Sequence, residues 1–380
     1  MPNKKSVQGF TWVEVSKSAL EYNLKQFRKL IGPNKLLMPV IKANAYGHGF
    51  LEVAKMLQNN KETNRICVVN NDEALRLIEN KLTKKPILIL SFYELDVKKV
   101  LILAKNNIIF PLFSLKQAKI LNIAGERLNK KIKVHLKIDT GTTRVGILPK
   151  DIIKFAQEIK KLKFINIEGV WSHFASSEDN REYTVKQHTA FKKAVTDLET
   201  IGINPPIKHM SCSAATILYP TDYFNGFRDG NAFYGLHPSP LTENKIKLKP
   251  ALSWYTKIIQ IKMVPTGTKV GYGGTFTTKR LTKIAIIPVG YWDGYDRKLS
   301  NKSSVIINNK LCPIIGRICM NLSMVDITNT GRVEENDIVT LIGKHKKITV
   351  TADDFSKWIG TVNYEIVCRI NPLLPRLMVD

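Results

Sequence analysis

The 380-residue chain predicts an α/β protein, an N-terminal (β/α)8 barrel followed by a C-terminal, mainly-β domain. Three observations carry that prediction. Apolar, β-branched runs alternate with helix-period segments through the first two hundred or so residues. Both periodicities break at His237-Pro238-Ser239-Pro240-Leu241-Thr242-Glu243-Asn244, which reads as a linker. Beyond it the pattern is short strands and turns. The expected division is a barrel over 9–245 and a β domain over 246–380.

The barrel strands are expected at Leu36–Lys42, Ile66–Asn70, Pro86–Leu90, Ile108–Phe110, Lys131–Ile138, Ile165–His173, Ile207–Met210 and Ala232–Leu236. Helical patterns lie between them, at Phe50–Gln58, Asp72–Ile78, Leu115–Ile123, Asp151–Lys160 and Tyr183–Leu198. An open, doubly wound sheet is the alternative. It requires a Gly-rich phosphate turn after an early strand, and no GxGxxG stands there. Past the linker, strands are expected at Lys257–Val264, Ile284–Val289, Ser304–Ile307, Cys312–Ile315, Ile338–Leu341 and Ile348–Val350, with a short helix at Ala352–Ile359. Asn308-Asn309 and Gly273-Gly274 are hairpin-type turn signals.

Composition narrows the function classes. Hydrophobic content of 44% and charged content of 24% are those of a soluble globular chain. No apolar run reaches the ~18 residues of a membrane span. The basic start Met1-Pro2-Asn3-Lys4-Lys5 is not followed by an apolar signal region, so a cytoplasmic protein is expected, with no membrane partner. Cys67, Cys212, Cys312, Cys319 and Cys368 are odd in number and irregular in spacing, which implies neither a disulfide framework nor a metal site. The net charge of +26 fits either a lysine-rich solvated surface or a nucleic-acid patch. The lysines are scattered and no nucleic-acid-binding signature accompanies them, so no nucleic-acid partner is expected. Such a field also draws phosphate and carboxylate ligands.

In a barrel of this kind the working groups sit at the C-terminal ends of the strands, and the unusual residues fall there. Leu36-Leu37-Met38-Pro39-Val40-Ile41 ends on Lys42, followed at once by Ala43-Asn44-Ala45-Tyr46-Gly47-His48-Gly49. Desolvation at the tip of a buried strand disfavours an ammonium and leaves a nucleophilic amine, as a Schiff-base lysine needs. A surface lysine that happens to follow a strand is the other reading of that spacing. Lys137 to Arg144 follows the fifth strand, Ser172-His173 ends the sixth, Ser211 to Ala215 follows the seventh, and Arg228-Asp229-Gly230-Asn231 lies just before the expected eighth. Loops around the last strands commonly hold phosphate. Ser213, at an expected helix N-cap, and Gly230, which lets backbone approach an oxygen, suit that role.

Pro39 to Gly49 resembles the pyridoxal-phosphate attachment motif of the alanine racemase family, a fold-type III pyridoxal-phosphate family, and the resemblance runs through nearly the whole chain. It implies a homodimer with shared active sites, pyridoxal 5'-phosphate as cofactor and no metal. The implied reaction is the two-base interconversion of L- and D-alanine, supplying D-alanine for peptidoglycan. Lys42 is then the aldimine-forming lysine and the base on one face of Cα. Tyr272, in Val270-Gly271-Tyr272-Gly273-Gly274-Thr275, is the base on the other face and reaches the partner subunit's site. Arg228 faces the pyridine nitrogen; a guanidinium does not surrender its proton there, which disfavours transamination. His173 links Arg228 to the tyrosine, though a lone histidine is also commonly a satisfied core residue. Tyr46, Ser213, Gly230, Asn231 and Tyr364 are implied around the phosphate, with a packing aromatic the other reading of Tyr46. Arg144 contacts the phenolic oxygen and substrate. Lys137 occupies the position that the family carbamylates. Met320 offers a backbone N–H to the substrate carboxylate, and Tyr291 lines the entrance.

Several positions depart from the family pattern. Asn321 stands where aspartate is usual, Thr142-Thr143 replace Met-Gly, Cys212 replaces asparagine, and Pro375-Arg376-Leu377-Met378 lacks a final tyrosine. These leave a broader amino-acid racemase as an alternative. A fold-type III decarboxylase is a more distant one, opposed by Arg228.

Overall fold

The computed structural model describes residues 9–220 and 223–380; the basic start at 1–5 lies outside them. The chain divides into two compact units. One comprises Ala19–Ala45 and Val53–Lys249; the other comprises the described residues up to Ser18, with Tyr46–Glu52 and Pro250–Asp380.

The first unit is a barrel. Among the described residues its eight strands are Leu36–Leu37, Ile66–Val68, Ile87–Ile89, Ile108–Leu112, Ile132–Lys137, Ile165–Trp171, Ile207–His209 and Gly226–Phe227. Each pairs in parallel with its neighbour, and the first pairs with the eighth. A parallel bridge from Val40 to Cys67 closes the ring, with Ile41 N–H donating to the Cys67 carbonyl at 2.9 Å. Ile66, Val68, Ile87, Leu88, Ile109 and Phe110 are all buried, because helices cover a parallel sheet. Each such side chain contributes about 1.5–3 kcal/mol. Three of the barrel helices with side-chain caps show why they start where they do: Asn70 accepts from Glu73 N–H, Ser114 from Gln117 N–H and Asn180 from Tyr183 N–H.

The eighth strand differs from expectation. Ala232–Leu236 is not a strand; Asn231–Tyr234 forms a 3-10 turn instead. Asn231 Oδ1 accepts from Ala232 N–H at 3.0 Å, and Gly235, at φ 82°, ends the turn in the left-handed region. The strand itself is Gly226–Phe227, so Arg228 follows it rather than preceding it. The first strand is also shorter than expected and does not run on to Lys42.

The second unit is mainly sheet. Among the described residues the larger sheet runs in the order Lys310–Pro313, Ser304–Ile307, Ile338–His345, Leu252–Lys257, Thr11–Ser16 and Arg376–Val379, with Ile348–Val350 on the edge of Ile338–His345. Thr11–Ser16 therefore joins this unit, antiparallel to Leu252–Lys257, and Trp12 stacks on Tyr255 at 5.5 Å. Asn308 and Asn309, both in the left-handed region, turn the hairpin between Ile307 and Lys310. The helix Ala352–Ile359 forms on a capping box between Thr351 and Asp354. No described helix is long and apolar enough to cross a membrane.

Candidate active site

Lys42 opens a tight turn of unusual hand. Ala43, Asn44, Ala45 and Tyr46 all have φ between 51° and 55°. Left-handed backbone costs roughly 1–2 kcal/mol per residue outside glycine, asparagine and aspartate, and such strain collects at functional sites. The turn is tied down within the barrel unit. Ala45 N–H donates to the Ile41 carbonyl at 2.8 Å. Glu73 accepts from Ala43 N–H with one oxygen and from Val69 N–H with the other, each at 2.8 Å. Burial raises the Glu73 pKa, partly offset by those N–H groups and by the charge of Lys42.

Arg228 is buried at the end of the eighth strand. The Val40 N–H donates to the Asp229 carbonyl at 2.8 Å, so the strand ends that carry Lys42 and Arg228 are neighbours. Arg228 Nη1 donates to His209 Nδ1 at 2.5 Å. Its Nη2 donates to the carbonyls of Ser172 (2.8 Å) and Met210 (3.1 Å) and to His173 Nδ1 (3.3 Å). The guanidinium also lies over Trp171, 4.7 Å from the ring centroid. Nε, on the inner edge of the guanidinium fork, and the second Nη1 hydrogen have no acceptor among these contacts. Burial lowers the guanidinium pKa to about 10, which still leaves a cation at neutral pH. His173, accepting at Nδ1, carries its proton on Nε2. Burial and then the charge of Arg228 hold it well below the usual histidine range, so it is a neutral imidazole.

Lys137 is buried at the end of the fifth strand, with Nζ 3.6 Å from the Trp171 ring centroid and 3.5 Å from the Leu90 carbonyl. Burial, then the charges of Arg228 and Arg144, push its pKa down to about 7. A large fraction is therefore free amine at neutral pH. The loop beyond winds around Asp139, whose carboxylate accepts from the N–H groups of Gly141, Thr143 and Arg144 at 2.8–3.0 Å. Burial alone would raise the Asp139 pKa, but these donors outweigh it and lower it. The Arg144 side chain is exposed and lines a cavity of about 470 Å³ with Asp139, Thr140 and Gly141. Helix Arg181–Thr200 pins this loop: Tyr183 Oη donates to the Gly141 carbonyl at 2.7 Å, and buried Gln187 bridges Thr140 and the His173 carbonyl.

Ser213 is the first residue of helix Ser213–Leu218, not its N-cap; Cys212 holds that position without a side-chain capping bond, its Sγ meeting Ser177 Oγ at 3.2 Å instead. The Ser213 hydroxyl accepts from Gly230 N–H at 2.9 Å, and the Asn231 side chain is spent on its own turn. The β unit holds the remaining expected residues. Tyr46 opens the Tyr46–Glu52 segment. There Arg376 Nε donates to the Gly47 carbonyl at 3.2 Å, and a Cβ on Gly47 would lie 1.9 Å from the Val367 carbonyl oxygen. Tyr364 lies on the helix Asn363–Cys368. Tyr272 is 71% exposed, in a turn entered through Gly271 at φ 72°. With Tyr291, Asp296, Arg297 and Cys319 it lines a cavity of about 690 Å³. Met320 is exposed, and its carbonyl accepts from Trp292 N–H at 2.9 Å.

Sequence reasoning missed Glu73, Gln187 and two buried histidines, His135 and His209. The available signal for the histidines was a polar residue inside an apolar strand, at Val134-His135-Leu136 and at Ile207-Lys208-His209-Met210.

Comparison with known proteins follows the same division of the chain. Alanine racemase, N-terminal domain, matches residues 15–238, and Alanine racemase, C-terminal domain, matches 251–378. These two matches, over a barrel followed by a mainly-β unit, place the chain among the amino-acid isomerases. The chain belongs to the alanine racemase family. An alanine racemase of Methanococcus maripaludis is 38% identical over 96% of this chain and 98% of that one. One from Halothermothrix orenii is 39% identical over 96% of both. Among solved structures, alanine racemase of Clostridium difficile superposes with a TM-score of 0.92 at 34% identity, over 98% of this chain and 97% of that one. The Bacillus anthracis enzyme with bound L-Ala-P superposes at 0.90 with 32% identity, over 98% and 96%.

Proposed function

We propose that this chain racemises alanine as a cytoplasmic homodimer, with pyridoxal phosphate held on Lys42, and supplies D-alanine for peptidoglycan. The observation that carries the reading is the pair of neighbouring strand ends: a lysine on a strained, anchored turn beside a buried cation that cannot act as an acid. The donor set fits the cofactor. Lys42 supplies an amine for its aldehyde, and Arg228 keeps Nε for a ring nitrogen. Ser213, Tyr46 and Tyr364 would supply hydroxyls and Asn231 its backbone N–H for a phosphate, with the Gly230 N–H holding the Ser213 hydroxyl in place. Pyridoxal phosphate, when bound, supplies the electron sink that makes the Cα proton of alanine acidic.

The residues of this chain would then move that proton. The Lys42 amine takes it from, or returns it to, one face of Cα, and Tyr272 of the partner subunit acts on the other. Neutral His173, protonated at Nε2, links the tyrosine to Arg228. The exposed Tyr272, Trp292 and Met320 favour a second copy against this face. Arg144 and the Met320 N–H would hold the substrate carboxylate, with Tyr291 at the entrance; the Bacillus anthracis relative was solved with L-Ala-P. The free-amine fraction of Lys137 suits carbamylation. Its lone pair bonds carbon dioxide, a proton leaves, and the resulting anion faces the positive field of Arg144 and Arg228.

The test is to purify the protein and record the visible absorbance of the bound cofactor. L-alanine is then added with a panel of other L-amino acids. D-alanine without carbon dioxide release is expected, with the mass of one carbon dioxide added at Lys137. Cofactor binding without D-alanine, or release of carbon dioxide, overturns the reading. Turnover of the wider panel would point to Asn321 as a relaxed entrance.

A further inference from the structure

Arg228 is buried, and none of its contacts described above is with a carboxylate. Its partners instead lead away from the C-terminal ends of the strands. His209 Nε2 lies 2.7 Å from His135 Nδ1. His135 Nε2 lies 3.2 Å from Glu168 Oε2. Glu168 is an ion-pair hub: Arg65 Nη1 meets Oε2 at 2.7 Å and Lys133 Nζ meets Oε1 at 3.1 Å. Both imidazoles are fully buried.

The protons on this path are fixed by elimination. A guanidinium only donates, so His209 Nδ1 accepts and the proton of His209 sits on Nε2. That N–H donates to His135 Nδ1, which places the proton of His135 on Nε2, aimed at the carboxylate; Arg65 Nη1, 3.3 Å from the same Nε2, cannot then donate to it and donates instead to Glu168 Oε2 at 2.7 Å. Every donor thus points from Arg228 towards Glu168. Burial, with the flanking guanidinium charges, holds both histidines neutral; His135 is pushed down to about 4 despite Glu168, and His209 lies well below the usual range. Burial would raise Glu168, but the bonds from His135 and Arg65 outweigh it and lower its pKa.

The backbone is shaped around these rings. The pairing of the fifth and sixth strands shifts register between Val134 and His135, leaving Glu168 as the extra residue between Ile167 and Gly169. A Cβ on Gly169 would lie 2.6 Å from the His135 ring, and one on Gly226 would lie 3.0 Å from His209 Cβ. Trp171 stacks on His209 at 5.4 Å with an interplanar angle of 7°.

We propose that His209, His135 and Glu168 are positioning residues that form a one-way hydrogen-bond chain, delivering the counter-charge of Glu168 to Arg228 through two neutral imidazoles. The guanidinium is thereby held and aimed without a carboxylate in contact. Its field at the barrel mouth stays positive, where it acts on Lys137 and His173. The chain itself follows from barrel geometry; its effect on turnover rests on the reading of Arg228 as the partner of the cofactor ring.

The decisive experiment is nitrogen NMR of the purified holoenzyme labelled at histidine, with His135→Gln and His209→Gln used for assignment. Both residues are expected as Nε2–H tautomers that do not titrate across roughly pH 5 to 8. An Nδ1–H tautomer or an imidazolium at either position overturns the proposal, whatever the enzyme's reaction. Glu168→Gln supplies the functional reading. Turnover is expected to fall by up to about 100-fold with KM for alanine little changed and the pH profile of the cofactor absorbance shifted. Glu168→Asp is expected to recover part of the loss. Unchanged turnover and an unchanged profile in a folded Glu168→Gln protein also overturn it. If that variant does not fold, the wild-type tautomers decide.

Discussion

The interior of the barrel and the exposed face of the β unit solve opposite problems with similar residues. Inside the barrel, Arg228 is over-determined: bonds to His209, Ser172, Met210 and His173 and the Trp171 ring leave it one orientation. On the β unit, Tyr272, Trp292 and Met320 are 71%, 60% and 56% exposed, and Tyr272 lines a cavity of about 690 Å³. The first region is rigid in isolation, because buried polar groups must be satisfied by fixed partners. The second presents apolar and aromatic surface with few bonds of its own, the character on which the proposed dimer rests. Crowding the packed barrel interior should therefore register as lost stability, and removing a functional group from the β face as lost activity alone.

The largest expected effect tests the β face. Tyr272→Phe removes a hydroxyl from an exposed ring, so the melting temperature should not move. If the partner's tyrosine moves a proton, alanine racemisation should fall roughly 10²–10⁴-fold, the usual worth of a general acid–base group. The cofactor absorbance should persist. A folded Tyr272→Phe protein at full activity would erase the functional half of the comparison, and loss of the absorbance would move Tyr272 to a different role.

Gly169→Ala probes the barrel interior. The added methyl would lie 2.6 Å from the His135 ring in a space with no slack. Overpacking of this kind costs about 1–3 kcal/mol. Chemical denaturation should show that loss. Gly267, in the β unit, has nothing within 4 Å of an added Cβ but sits at φ 81°. Gly267→Ala therefore serves as the control for backbone strain without crowding, and its loss should be the smaller. Equal losses at the two sites would mean that His135 has room to yield.

How much of this was readable from sequence follows the same division. The longer barrel strands announced themselves, because a run such as Ile108–Leu112 covers both buried faces with apolar residues. The eighth did not: Gly226–Phe227 is two residues long, too short for any periodicity, while the apolar Ala232–Leu236 run imitates a strand. What overrules that run is the Asn231 side chain and Gly235, local turn chemistry that an apolar count ignores. Lys42, Tyr272 and Arg228 stand in a motif or at a strand end and could be found. His135, Glu168 and His209 could not, since their significance lies in pairings between strands 33 to 74 positions apart. Nor does any propensity anticipate four successive left-handed residues after Lys42; the turn donates Ala43 N–H to distant Glu73 and closes on itself from Ala45 N–H to the Ile41 carbonyl.

The smallest expected effect sharpens the comparison within the barrel, between a partly buried carboxylate and a fully buried one. Glu168 has Arg65, Lys133 and His135. Asp229 is 0% exposed, and neither of its side-chain oxygens has a hydrogen-bond partner among the described residues. Burial raises its pKa well above the ordinary carboxylate range, with the charge of Arg28 a lesser, opposing influence. The unfolded chain releases this proton near pH 4, whereas the native state retains it. Stability must therefore fall as pH rises from that value towards the raised native pKa. Asp229→Asn keeps the shape and cannot ionise, so it should match the wild type near pH 4 and exceed it at neutral pH, by on the order of 1 kcal/mol. Denaturant midpoints at the two pH values would show it. A difference that does not change with pH would mean that the Asp229 carboxyl has found a partner, and that the two acids are alike after all.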